Sequence, residues 1–229
     1  PLSCDLEVNH RGRLSGDGVI NALLVNRSVV EPENIFVEGE ILNFGTIEMT
    51  GFSQAPQPSR IAATGGIVHD AEIRVSGFIA AAKLKQPCAA IRTVDGQRLI
   101  LGREGSSNEG RIEVFGGELE LNGFVVNQIG GSVLARDATL RLDEGLLNRG
   151  DLAVNFGENT DLFGTVVNEQ TGRVLVTGSA NATFFDEVQN DGEFRIDTGS
   201  TAVFFGDVAG AGAVSGGGDV FFEERFSPG

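Results

Sequence analysis

Carboxylates and guanidinium groups are the side chains of this sequence best placed to do chemistry. Asp143, Asp186, Asp207, Glu223 and Glu224 recur through its C-terminal half, and Arg60, Arg74, Arg92 and Arg98 precede them. Converging acids with an arginine base, often with Ca²⁺, or a pair of acids at fixed separation, break polysaccharide chains. One expectation is therefore a glycan-binding or glycan-cleaving protein, with a groove near residues 51–64 and 78–92. The acids, however, fall at regular intervals, as turn residues do in a repeat. No GxSxG, HExxH, P-loop or EF-hand pattern is present. The two His and two Cys form no metal-ligand cluster, so no metal, no cofactor and no catalytic residue is expected.

Other short motifs have plain explanations. Arg149-Gly150-Asp151 spells an integrin tripeptide but lies in a turn of the repeat. Asn26-Arg27-Ser28 and Asn181-Ala182-Thr183 are glycosylation sequons. GGGDVFF holds a fragment of a calcium-binding nonapeptide, once only. Cys4 and Cys88 are either two separate thiols or, in an oxidising compartment, one disulfide closing a long loop.

The elements that must position these groups are set by a period of about 20 residues. Asn108, Asn127, Asn148, Asn168 and Asn190 are spaced 19, 21, 20 and 22 apart. Each unit runs apolar pair, Asn, polar turn, alternating strand, second turn, apolar strand. Apolar residues sit two apart, as in Ile112 and Val114 or Val174 and Val176, which is the strand period. Steady recurrence of this kind marks a stacked repeat. The expected fold is all-β: one right-handed parallel β-helix of about ten rungs. Its parts are a cap segment at 1–25, the solenoid at 26–224 with insertions at 51–64 and 78–92, and an extension at 225–229. The run IAAAKLK is expected to form one or two helical turns, and His69 takes the Asn slot of its rung.

Aligning the closing strands on their ends gives two columns expected to face inward. One is Leu121, Leu142, Phe163, Phe185, Phe205 and Phe222; the other is Leu119, Leu140, Asp161, Thr183, Val203 and Val220. Asp161 is a misfit in that scheme. Equivalent residues stack at strand spacing, so a phenylalanine ladder and an asparagine amide ladder are expected. The column between would face outward: Glu120, Arg141, Leu162, Phe184, Phe204 and Phe221. An apolar outward stripe implies a partner. Phe184, Phe204 and Phe221 are thus the lateral interface candidates, and Val220 with Phe222 the candidates at the C-terminal end.

Composition narrows the partners. The net charge of −15 disfavours nucleic acid, which requires clustered cations. Eight of the 17 cations fall between Arg60 and Arg111, a basic middle suited to an acidic neighbour. No apolar run of 18 residues offers a membrane span.

The stretch ATFFDEVQNDGEFRIDTGSTAVFFGDVAGAGAVSGGGDVFFEERFSPG resembles the repeats of secreted bacterial β-solenoids. These include autotransporter passenger regions and exosortase-sorted (PEP-CTERM-bearing) surface proteins, and the likeness covers about residues 105–229. It implies an exported, extracellular or cell-surface protein of stalk, adhesin or matrix type, without shared catalytic residues. In such relatives a terminal FSPG leads into an anchor or sorting signal. The expectation is a non-enzymatic structural or adhesive element that associates with itself into filaments or surface assemblies, with a cell-surface glycan as the other candidate partner.

Overall fold

The computed structural model of the chain describes residues 6–9, 11–44, 46–49, 59–69, 72–75, 77–84, 90–93, 98–102 and 106–229. All the regular structure in them is β, and every pairing is parallel. From Ser106 onward each turn of the coil supplies three strands in chain order, while the first turns use a short strand and one long one. The turn beginning at Val125–Asn127 continues with Ser132–Arg136 and Thr139–Leu142. The next repeats this with Leu146–Asn148, Asp151–Asn155 and Thr160–Phe163. Each strand pairs with its equivalent one turn on, so three sheets run along a β-solenoid.

The rung count differs slightly from ten. The sheet that begins with Leu6–Val8 passes through Leu24–Asn26 and Glu40–Asn43 and ends with its twelfth strand, Phe226–Pro228. The N-terminal segment is part of the coil: Leu6–Val8 pairs with Leu24–Asn26, and Arg13–Ile20 with Val29–Val37. Gly77–Leu84 is a strand in the same array, so the helix expected at IAAAKLK is absent. Coil winding overrides local alanine propensity there, because a helix would interrupt two ladders. Residues 1–5, 51–58 and 85–89, with Cys4, Cys88 and the proposed disulfide, lie outside the described residues.

Inward positions form one continuous core. Val125, Leu146, Val166, Val188 and Val208 line one sheet; Val133, Leu152, Val174 and Phe194 line the next; all are buried. The third side carries Leu119, Leu140, Leu162, Phe184 and Phe204, each at or below 1% exposure.

At one corner runs a spine of asparagines. Nδ2 of Asn108, Asn127, Asn148 and Asn168 donates to Oδ1 of the next Asn at 2.7–2.8 Å. The second hydrogen of each amide reaches a main-chain carbonyl one turn on: those of Ser132, Asp151, Arg173 and Glu193 at 3.0–3.1 Å. Asn26 and Asn43 form a shorter spine of the same kind. Oδ1 also accepts the main-chain N–H two residues on, as Asn108 does from Gly110 at 3.1 Å. That local bond turns the chain at the corner, which is why Asn is used. Backbone register puts His69 opposite Asn43 in this column.

Asn148→Ala orphans buried groups on Asn127, Asn168 and Arg173. At roughly 1–3 kcal/mol per unsatisfied group, the loss should be about 3 kcal/mol in urea unfolding. The exposed Asn181→Ala should change stability by under about 0.5 kcal/mol, and equal effects would remove the spine from its structural role.

Candidate functional site

The phenylalanine pairs show which way the third sheet faces. Register matches Leu140 with Leu162, Leu162 with Phe184, Phe184 with Phe204, and Phe204 with Phe222. Phe184 and Phe204, expected outside, are therefore core residues at 1% exposure and cannot form a lateral interface. Their rings stack at 5.0 Å and meet Phe194 edge-on at 5.4 and 5.2 Å.

Phe163, Phe185 and Phe205, expected inside, stack in a single column on the outer face. Their ring separations are 4.4 and 5.4 Å, with planes within 7° of parallel. Asp161, Thr183 and Val203 turn outward with them. Leu119, Leu121, Leu140 and Leu142 face inward as expected. Phe221 is outward, opposite Val203, and 53% exposed; Val220 and Phe222 lie partly buried against the core.

The slip is by one residue, and in a strand that exchanges faces. From Leu162-Phe163 onward each closing strand runs into two adjacent apolar residues, so hydrophobicity alone fits either phase. The signal that could have decided it lay two residues earlier. Counting back from Phe184 and Phe204 gives Ala182 and Ala202, both buried, whereas counting back from Phe163 gives Asp161.

The other candidate groups are engaged in the repeat. Nε and Nη2 of Arg149 donate to the Glu169 carboxylate at 2.8 and 3.3 Å. Asp151 receives both Nε and Nη2 of Arg173, at 2.7 and 2.8 Å. A Cβ on Gly150 would collide with the carbonyls of Gly131 and Gln128. The tripeptide is thus locked into the wall of the coil, with none of the freedom an integrin loop needs. Asn26 is fully buried in the amide spine, so that sequon is inaccessible, while Asn181 is exposed.

The acids do not converge. Asp186 accepts the Gly164 N–H at 2.6 Å, and Asp207 pairs with Arg225 at 2.9 Å. No group of three or more His, Cys, Asp or Glu side chains able to hold a metal ion occurs among the described residues. Backbone register sets Arg74 opposite Arg92, between Glu48 and Glu113, in one column of consecutive turns.

What stands out instead is the surface of the last turns. On the outer face, Phe205 (47% exposed) and Phe221 lie on neighbouring columns. At the C-terminal end, Val214 stacks on Phe194 and Phe226 on Val208, yet they are 37% and 43% exposed. A cavity of about 240 Å³ opens there, lined by Asn190, Val208, Gly210, Val214, Phe226 and Pro228. The asparagine spine stops at its wall. Asn190 bonds the Ala213 carbonyl at 3.2 Å, and the next position in the column is Gly210. Gly210 has φ of +120°, and a Cβ there would overlap the Asn190 carbonyl. Comparison with protein-family models, with curated proteins and with solved structures finds no match.

Two measurements test this geometry. Phe204→Ala should cost about 3–5 kcal/mol of stability, and Phe205→Ala about 1 kcal/mol from its lost stacking; the reverse order would restore the other phase.

Hydrogen bonds from Arg149, reinforced by its charge, hold the Glu169 carboxyl below the usual carboxylate range. A depressed acid stabilises the fold above its unfolded pKa, and that contribution fades as pH falls through the folded value. In an NMR titration, Arg149→Gln should move the Glu169 midpoint upward, and an unmoved midpoint would place the cause elsewhere.

Proposed function

We propose that this chain is a non-enzymatic structural element that assembles end to end with copies of itself. The observation that carries this reading is the exposed C-terminal end of the core. Val214, Val220, Phe222 and Phe226 continue columns that are buried one turn earlier, and they are themselves only partly covered. Phe222 and Phe226 stack on each other at 4.3 Å, making an aromatic floor at that end.

Main-chain groups support the same reading. Ala213, Asp219 and Glu223 donate their N–H groups back to the preceding turn. In a parallel ladder alternate residues bond alternate sides, so the N–H groups of Val214, Val220 and Phe222 point to the far side. An edge of this kind is a template for another strand. Pro228 lacks a donor, so pairing is weakest at the sheet of Phe226–Pro228 and strongest at the other two.

Docking of the opposite end of a second copy is a heterologous contact, and repetition makes an open filament unless the rotation closes. The resemblance to autotransporter passengers and exosortase-sorted surface proteins, with a net charge of −15, favours an extracellular or surface-matrix setting.

Sedimentation velocity over a wide concentration range tests the assembly. The wild type should grow with concentration, with rods visible by electron microscopy, and Val214→Lys combined with Phe226→Lys should stay monomeric. A wild type that stays monomeric at every concentration, or a variant that assembles equally well, overturns the proposal.

A further inference from the structure

The outward phenylalanines of this chain have a recurring companion. Arg27 lies over the ring of Phe44 at 4.8 Å, Arg136 over Phe115 at 5.0 Å, and Arg141 over Phe163 at 4.7 Å. Two of these guanidiniums are also held by a carboxylate: Arg27 by Glu7 at 2.9 Å and Arg141 by Glu118 at 2.7 Å. The unit is a ring face, a guanidinium and an acid, which joins cation–π attraction to charge pairing.

The outer aromatic column begins with such a unit and ends without one. Arg141 covers the first ring, Phe163; Phe185 and Phe205 follow in parallel stack. The N–H of Glu223 bonds the Phe204 carbonyl at 2.9 Å, which makes Glu223 the residue opposite Phe205 on the next turn. A ring and an acid are therefore present, and among the described residues no guanidinium lies over Phe205. The nearby Arg225 is committed to Asp207. The exposed ring of Phe221 stands beside the seat.

Charge says what fits. Residues 157–224 hold twelve acids against two cations, Arg173 and Arg195. Arg173 is paired with Asp151 and Arg195 with Asp197. A field of that sign draws cations to this lateral face.

We infer that the Phe205–Glu223 seat, flanked by Phe221, is a docking site for an arginine-bearing cationic segment of a partner protein. The partner's guanidinium stacks on the free face of Phe205 and bonds the Glu223 carboxylate, and its apolar neighbours cover Phe221 and Val203. Arginine is preferred over lysine because a planar group stacks and makes a forked bond. This site is separate from the end surface of Val214 and Phe226, so either can fail without the other.

Fluorescence anisotropy of the full chain with a labelled peptide of alternating Arg and Leu tests it. The matching Lys–Leu and citrulline–Leu peptides serve as comparisons. The Arg peptide should bind tightest, the citrulline peptide should not bind, and added salt should weaken the complex. Phe205→Leu, which keeps an apolar side chain, should weaken binding about threefold, the scale of one exposed cation–π contact. Glu223→Gln should weaken it by a similar factor, and the exposed Glu158→Gln should leave it unchanged. Equal losses in Glu158→Gln and Glu223→Gln would show diffuse attraction to an acidic rod and overturn the site. So would equal binding of the three peptides, no binding at all, or a Phe205→Leu effect seen only in sedimentation of the chain with itself.

Discussion

Every other feature of this molecule depends on the requirement that each turn return to the same column. A parallel ladder leaves no latitude along the axis, because each main-chain donor must meet a carbonyl of the previous turn. The asparagine spine enforces that return from inside. Each amide is tied to its neighbours above and below and to the carbonyl that starts the next strand. One side chain thus satisfies the corner and sets the spacing of the turns.

From this constraint follow both the core and the surface. Stacked equivalence turns one apolar residue per repeat into a continuous column, so strands mostly of three to five residues bury a large interior. It does the same on the outside, where Phe163, Phe185 and Phe205 become a ladder of rings and paired charges become rows. A solenoid amplifies whatever a repeat position carries, and that is why its surfaces suit binding along a line. The turn of Val214 and Phe226 is a different matter, since residues in core columns are exposed there.

The period, the strand pattern and the asparagine column were legible in the sequence, because a corner needing Asn recurs wherever the corner recurs. The entry of Leu6–Val8 and Gly77–Leu84 into the ladders was harder to read. Those segments lack the full motif, and their pairing is imposed by neighbours more than by their own composition. The phase of the closing strands was misread for a definite reason. Leu162-Phe163, Phe184-Phe185, Phe204-Phe205 and Phe221-Phe222 offer an apolar residue to both faces, so hydrophobicity is silent and only the small residues two positions earlier speak.

The amino-acid sequence by itself determined that this chain is a β-coil, with about 20 residues to a turn and Asn at a corner, because recurrence in sequence becomes recurrence in space. Only the tertiary structure decided which phenylalanine of each pair faces water and where, among the described residues, the outer ladder carries no guanidinium. Those depend on how many residues each corner consumes, and a corner of one more residue turns the whole strand over.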